Sequence, residues 1–382
     1  MERRYRNVNQ AFYYLVGDIQ DGLIKTRKED TRNGPVIQID EPAMITYAHP
    51  LERVLFNEQR DCNPFFHVYE AMWMLAGRND VAPLAYYTPA IANYSDDGRT
   101  FNGAYGYRWR HPNYLDFTGN PSPGDVPYGN QDQLDIIVKH LKEKPNSRRV
   151  NLQMWNVEDD LLKIDNGKDV CCNTNVYFSI RELINGADDR YDRDRGARPK
   201  VFVLDMTVCN RSNDLVWGML GANVVHFSFL QEYLACRLGV EVGRYTQFSN
   251  NLHVYTENNS GFHPEKWLTD GIQDLYTQTA AINMKHVPLV RDPVMFDREV
   301  KEFVDYNSQY QSIDNRKDYA EPFLTLVAQP MMCAFHHHKA REYPSALAAC
   351  GDIQATDWRV AVTAWVKKRR ANYEAKQAKA GE

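Results

Sequence analysis

No window of this 382-residue chain is apolar enough for long enough to cross a bilayer, and its first twenty residues, MERRYRNVNQAFYYLVGDIQ, are too polar for a secretory signal. The expectation is a cytoplasmic protein with no membrane partner. Nor is there an excess of positive charge: 45 Lys and Arg stand against 50 Asp and Glu, a net charge of -5. That removes any global pull toward nucleic acid or anionic lipid, so a bound phosphate must be met by local arginines. Cysteines number only seven, and an odd count in a long chain argues for reduced thiols rather than a disulfide framework. The chain has no internal repeat, no glycine-rich phosphate loop and no dinucleotide-fold fingerprint. Its proportions, 43% hydrophobic and 25% charged, are those of a globular protein that buries one large core or two ordinary ones.

What the chain does have is a strand-like stretch with two adjacent thiols, DVCCNTNVYFSI, from Asp169 to Ile180. Cys172, Thr174, Val176, Phe178 and Ile180 alternate onto one side; Cys171, Asn173, Asn175, Tyr177 and Ser179 fall on the other. Two readings are open. The pair is either two small buried side chains, which this stretch alone favours, or the mouth of a strand that holds a nucleophile rigidly.

The flanking segments supply candidate elements in order. Ala11, Tyr14, Leu15, Gly17 and Ile19 predict an amphipathic helix that stops near Asp21-Gly22, followed by a polar basic stretch. Arg32-Asn33-Gly34 reads as a turn, with Arg32 either solvated or clamping a phosphate, and short strands follow over Val36–Ile39 and Ala43–Tyr47. Asn63-Pro64 opens a helix and Gly77 closes it, with Phe66, Tyr69, Trp73 and Ala76 as its apolar stripe. Glu70 lies on that stripe. It either snorkels at the edge, which the helix alone favours, or is buried with a raised pKa and a task. Residues 92–110 read as a long functional loop running into Tyr105–Arg110, and the Pro/Gly-rich 119–129 as another loop.

Leu134, Ile137, Val138 and Leu141 keep helical spacing up to Lys144-Pro145, and Ser147-Arg148-Arg149 leads into a strand ending at Trp155-Asn156. On a strand, two adjacent arginines point opposite ways. A charged loop at 186–200 and a strand over Val201–Cys209 follow. Gly221–Leu238 is apolar nearly all round, predicting a buried central helix with Asn223 in its first turn, as a cap or as a buried amide facing a ligand. Val242–Tyr255 closes the strand-rich part. Beyond about residue 290 the pattern turns helical. Cys333 with His336-His337-His338 invites a metal reading, but three consecutive histidines on regular structure cannot all face one ion, which favours packing roles. The final helix carries Trp358, Ala361, Val362 and Trp365, and its Lys367–Arg370 run reads as a solvated basic face rather than a nucleic-acid contact.

Eight of these fragments, in this order and at close to this spacing, resemble the thymidylate synthase family, which includes the pyrimidine nucleotide hydroxymethylases. They are Glu70-x-x-Trp73, Tyr105-Gly106-x-x-Trp109-Arg110, Ser147-Arg148-Arg149, Trp155-Asn156, Cys172, Arg211-Ser212-x-Asp214, Asn223 and His253-x-Tyr255. The resemblance runs from about Arg32 to Tyr255. It implies an α/β (α+β) fold, a mixed and mostly antiparallel sheet backed by helices, in a catalytic domain of residues 1–290, with 291–382 as a helical C-terminal extension. It also implies a homodimer whose subunits share the phosphate site.

The chemistry explains why these residue types belong together. Carbon 5 of a uracil ring is a poor nucleophile until a thiolate adds at carbon 6 and can later leave again. The resemblance makes Cys172 that nucleophile and Cys171 structural. Arg211 would stabilise the thiolate and, with Ser212, Arg32, Arg148 and Arg149, bind the nucleotide phosphate, the last two across the dimer interface. Asn223 would read N3–H and O4 of uracil, although a flipped amide admits cytosine. His253 and Tyr255 would hold the deoxyribose hydroxyl. Asp214, with Ile91 and Tyr94, would sit on the folate side. Glu70 would be the general acid and base, and Tyr105 would assist proton removal at carbon 5. The implied substrate is dUMP and the co-substrate 5,10-methylenetetrahydrofolate, with no metal.

An exocyclic methylene on the nucleotide then has two fates: hydride gives dTMP, water gives 5-hydroxymethyl-dUMP. Three departures from the synthase pattern loosen its shielding from water. Ile91 and Tyr94 stand where synthases carry tryptophans, Asn173 replaces the histidine after the nucleophile, and a long helical extension replaces the short C-terminal closure. One extra residue also separates Arg211 from Asn223. The expectation is a dUMP hydroxymethylase, with thymidylate synthase, a dCMP-directed enzyme and a non-catalytic, partner-binding relative as the alternatives.

Overall fold

The computed structural model describes residues 1–111, 132–183, 200–257, 261–278, 284–308 and 316–380. The loop expected at 119–129, and all but the end of the one at 186–200, lie outside these. The first part of the chain runs β1 (Glu2–Tyr5), α1 (Val8–Gln20), β2 (Thr26–Thr31), β3 (Gly34–Ile39), β4 (Ala43–Tyr47), α2 (Pro64–Leu75), α3 (Val81–Tyr87), α4 (Tyr105–Arg110) and α5 (Gln133–Glu143). The middle runs β5 (Asn151–Gln153), β6 (Asn173–Glu182), β7 (Phe202–Asn210), β8 (Asn213–Asp214), α6 (Asn223–Leu238), β9 (Glu241–Ser249) and β10 (Leu252–Tyr255). Then come α7 (Pro264–Trp267), α8 (Leu275–Gln278), α9 (Pro293–Tyr306), α10 (Gln329–Lys339), α11 (Tyr343–Gly351) and α12 (Thr356–Ala380).

Two sheets organise the molecule. One has the order β1-β4-β9-β7-β6-β5 and the other β2-β3-β10-β8. Neighbours are antiparallel except β1 with β4, β7 with β9, and β8 with β10, so the mixed, mostly antiparallel sheet expected from the sequence is present. Along β9, Gly243, Tyr245, Gln247 and Ser249 point to the core, while Arg244, Thr246 and Phe248 stay half-buried on the opposite face. That opposite face also carries Tyr177, half exposed on β6.

α6 packs against the inner face of this sheet and is buried from Val224 to Ala235. It ends because Gly239 takes a left-handed φ of 72°, which a side chain resists. α2 starts as its sequence predicts, with the Asn63 side chain accepting from the Phe66 N–H at 3.2 Å and proline in the first turn. Its burial is wider than one stripe. Phe65, Val68, Tyr69, Ala71, Met72, Trp73, Met74 and Leu75 are all buried, whereas Phe66 is only half-buried. The reason is tertiary: α6 covers one side of α2, and α9, α10 and α12 cover another. Phe65 meets Phe335 and Trp365 at ring distances of 5.2 Å each, and the Tyr69 hydroxyl donates to the Val304 carbonyl at 2.9 Å. One contiguous apolar cluster therefore runs from Val8 to Val366.

Two local expectations change. Residues 26–31, read as a polar stretch, form β2; all six are exposed and are held to β3 by main-chain pairing, with Arg32-Asn33 as the two-residue link. The cysteine strand begins at Asn173, one residue after Cys172, and its register against β7 shifts between Asn173 and Asn175. This bulge breaks the simple alternation, so Asn173 is fully buried, like Val176, on the side where Phe178 is also buried. The three histidines of α10 take separate partners: His336 meets the Tyr86 hydroxyl at 2.7 Å, His337 the Glu342 carboxylate at 2.8 Å, and His338 stacks edge-on to Trp365.

Candidate active site

The segment that delivers Cys172 is clamped before it enters β6. Arg108 on α4 pairs with the fully buried Asp160, whose carboxylate also accepts from the main-chain N–H groups of Cys171 and Asn156 at 3.1 and 2.8 Å. Asp169 accepts from the Gly103 N–H at 2.7 Å. Cys171 is 1% exposed and its thiol lies 3.2 Å from the Asn173 carbonyl. Cys172 is half-buried.

Arg211, leaving β7, turns back onto this segment. Its Nε donates to the Cys171 carbonyl and its Nη2 to the Val170 carbonyl, both at 2.8 Å, and Nη2 stands 3.7 Å from the Cys172 sulfur. Burial pushes the Cys172 thiol up, the Arg211 and Arg32 charges pull it back, and Asp169 and Asp160 push it further. Arg211 thus carries the main local influence toward thiolate.

Beside this, Arg32, Asn33, Ser212, Asn251, His253 and Tyr255 line a cavity of about 190 Å³. Arg32 is exposed and reaches the Gly167 and Lys168 carbonyls at 2.9 and 3.1 Å. His253 and Tyr255 meet edge-on at 5.4 Å, on the same face of β10. Burial raises the Tyr255 pKa, a hydrogen bond from Asn33 pulls it back, and Asp214, Tyr94 and Cys172 add to the rise. Tyr94 is itself 57% exposed and Ile91 half-buried, both on the short helical turn Pro89–Tyr94.

Asp214 caps the next turn, accepting from the Val216 N–H at 2.8 Å and from that of Trp217. Its second oxygen is buried with no hydrogen-bond partner among the described residues. Leu215–Ala222 is a widened, π-type turn interrupted at Gly221, with φ -124° and ψ -106°. A turn of this kind holds one residue more than an α-helical turn.

Asn223 opens α6, and Asn223, His226 and Phe227 share one face of it. Phe227 packs on Tyr105 at 6.1 Å, and the Asn173 main chain hydrogen-bonds the Tyr105 hydroxyl. His226 Nε2 stands 3.2 Å from Glu70 Oε2. Burial pushes the Glu70 carboxyl up to about 8 and holds His226 well below the usual imidazole range. The neighbouring His67 is pushed down to about 3, by burial and then by the Arg60 charge. Glu70 is therefore not an edge residue: burial favours its protonated form, beside an imidazole that burial keeps neutral. Arg148 and Arg149 are exposed and line neither the cavity nor the thiol.

The chain was then compared with known proteins. The thymidylate synthase family profile matches residues 46–318. The chain belongs to the thymidylate synthase family. A deoxyuridylate hydroxymethyltransferase of Pseudomonas phage M6 is 39% identical over 98% of this chain and 96% of its own length. Proteins of the same name from Bacillus phage SP01 and Delftia phage PhiW-14 are 35% and 27% identical, over 73% and 54% of this chain and 64% and 50% of their own lengths. A thymidylate synthase of Bacillus phage phi3T is 28% identical over 41% of this chain and 52% of its own length.

The position after Cys172 carries a fully buried asparagine, and neither end of the Asn173 amide has a partner among the described residues. Sequence reasoning missed His226, Asp160 and Asn213. His226 had a signal, as a polar residue three positions beyond Asn223 on the same face of a mostly apolar helix; Asp160 had none, because its partner Arg108 lies 52 residues away.

Proposed function

We propose that this enzyme is a one-carbon transferase converting dUMP to 5-hydroxymethyl-dUMP. The observation that carries the reading is the near full-length similarity to a phage deoxyuridylate hydroxymethyltransferase, extension included. The grouping of Cys172 and Arg211 at 3.7 Å supports the same chemistry.

The phosphate binds Arg211, Ser212 and Arg32, and Arg148 and Arg149 from a second subunit complete the clamp. Support for that homodimer comes from the half-exposed outer face of the larger sheet, where Tyr177, Thr246 and Phe248 lie open in a single chain. His253 and Tyr255 hold the deoxyribose hydroxyl, and Asn223 reads the uracil edge. Cys172 adds to carbon 6, which makes carbon 5 nucleophilic, and Tyr105 assists loss of the carbon 5 proton.

A flat, amide-bearing pterin fits beside Asp214, whose buried second oxygen has no partner among the described residues, and by Trp217, stacked under Arg60 at 4.5 Å. When bound there, 5,10-methylenetetrahydrofolate supplies the one-carbon unit. Ile91 and Tyr94 form the remaining wall and leave it open to water. Glu70 would pass its proton, through water, to the nitrogen of the departing tetrahydrofolate and then, as carboxylate, take one from the water that adds to the exocyclic carbon; the Cys172 thiolate leaves as the ring double bond returns. Among the described residues no helix is long and apolar enough to cross a membrane. A cytoplasmic setting, that of the host for a phage-encoded enzyme, suits these substrates.

Single-turnover product analysis tests the reading. Incubation with dUMP and methylenetetrahydrofolate should give 5-hydroxymethyl-dUMP and tetrahydrofolate. Formation of dTMP with dihydrofolate would replace it with thymidylate synthesis, and absence of a Cys172 adduct with 5-fluoro-dUMP and the folate would remove the catalytic reading altogether.

A further inference from the structure

Asn223 is a primary amide, and an amide turned over reads the opposite hydrogen-bonding pattern. Uracil presents N3–H as donor and O4 as acceptor; cytosine presents N3 as acceptor and its 4-amino group as donor. What decides between them is which end of the Asn223 amide faces the base. The structure contains a buried chain of hydrogen bonds that fixes this choice from a main-chain anchor.

The anchor is the Met219 carbonyl, which can only accept. It takes the Tyr47 hydroxyl at 2.9 Å and Gln247 Nε2 at 2.9 Å. Having donated its proton to Met219, the Tyr47 oxygen also accepts from Gln247 Nε2, at 3.3 Å. Both contacts demand the NH₂ end of Gln247, so its Oε1 must face the other way. There it meets Asn213 at 3.2 Å, and Asn213 must therefore present Nδ2. The same Nδ2 donates to Ser249 Oγ at 3.1 Å, a contact that a hydroxyl would satisfy in either sense and so does not discriminate. With its nitrogen committed, Asn213 turns Oδ1 toward Asn223, which must answer with Nδ2, at 3.0 Å.

The site is sealed. Tyr47, Gln247 and Ser249 are fully buried and Asn213 is 3% exposed. Gly218 lies against the two asparagines so closely that a β-carbon there would come 2.3 Å from Asn213 Oδ1 and 3.1 Å from Asn223 Nδ2. Asn223, the last member of the chain of contacts, is half-buried.

We propose that Asn213 and Gln247 are specificity-determining positioning residues, which lock the Asn223 amide in the sense that reads uracil and rejects cytosine. This rests on the assignment of Asn223 as the base reader. Turning Asn223 over would set its Oδ1 against Asn213 Oδ1, two acceptors in contact. Turning Asn213 as well moves the conflict to Gln247 Oε1, and turning Gln247 moves it to the Met219 carbonyl, which cannot turn. The acceptance of cytosine by a flipped amide, open at the level of sequence, is closed by this relay.

The test is the ratio of kcat/KM for dUMP to that for dCMP in the full-length enzyme, with methylenetetrahydrofolate as co-substrate. Asn213→Leu and Gln247→Leu should each lower the ratio by about tenfold or more, mostly by weakening dUMP and partly by admitting dCMP. Tyr47→Phe keeps the Met219–Gln247 contact and should lower it in the same direction by a smaller factor, so it stands in if the leucine variants fail to fold. A ratio within about twofold of wild type in a folded leucine variant, or an unmoved ratio in Tyr47→Phe where those do not fold, overturns the proposal. Asn223→Asp separates this from failure of the underlying reading. If it shifts the ratio and Asn213→Leu does not, only the relay is wrong; if it too leaves the ratio unchanged, Asn223 does not read the base.

Discussion

Replacing Glu70 by glutamine should slow turnover steeply and at the same time stabilise the fold, with the gain growing as pH rises. Burial lifts the Glu70 carboxyl from 4.5 to about 8. Between those values the folded chain holds a proton that the unfolded chain has released, so stability falls with increasing pH and the loss is complete only above the folded value. At about 1.4 kcal/mol per pH unit, the full interval sets a ceiling of about 5 kcal/mol, and about 3 kcal/mol at pH 7. The side chain is 16% exposed and touches His226, so partial hydration brings the expected gain at pH 7 to roughly 1–3 kcal/mol. Glutamine has the same shape and no charge to bury. Urea unfolding of the two proteins from pH 5 to 9 should show midpoints that diverge as pH rises. The measured quantity is the difference between them, which cancels every other titrating group. A difference constant across that range would mean that Glu70 ionises normally, and the assignment of a protonated acid at neutral pH would fall. The same variant should lose about 10²- to 10⁴-fold in kcat, because an amide moves no proton.

Three further outcomes follow from the geometry. Arg211→Ala removes the charge that pulls the Cys172 thiol back, so the pH midpoint for its alkylation should move upward; an unmoved midpoint would show that the 3.7 Å contact has no electrostatic role. Gly106→Ala should destabilise by about 3 kcal/mol or more in chemical denaturation, since a β-carbon there would lie 2.0 Å from the Met74 carbonyl oxygen, where α4 meets α2. Mixing inactive Cys172→Ser and Arg148→Ala subunits in equal amounts should restore about a quarter of wild-type activity if the phosphate site is shared between subunits, and none if each chain is self-sufficient.

Much of the architecture was legible where local chemistry decides it. The Asn63-Pro64 start of α2, the stop near Gly22, the run of α6 and strands β3 and β4 all follow from caps, glycine and periodicity. β2 was not, because an exposed strand held by main-chain pairing has no apolar side to alternate. The bulge at Asn173–Asn175 was not, because it depends on the register with β7. In the candidate site, the fragments that resembled a family carried Cys172 and Arg211, which do meet. The reading of Glu70 as an edge residue, favoured by its helix alone, failed because it is α6 that supplies the second wall and the imidazole. Asn213 and Gln247 were invisible for the same reason: a polar residue at an inward strand position has meaning only once its partner, tens of residues away, is known.

The helix that carries Glu70 is pressed from behind by Phe335 and Trp365, side chains contributed more than 260 residues later. The tail is thus a keystone rather than an appendage. A core transplanted onto a different tail would leave Phe65 bare and the acid's helix unsupported, so recombination can exchange these two parts only as a matched set.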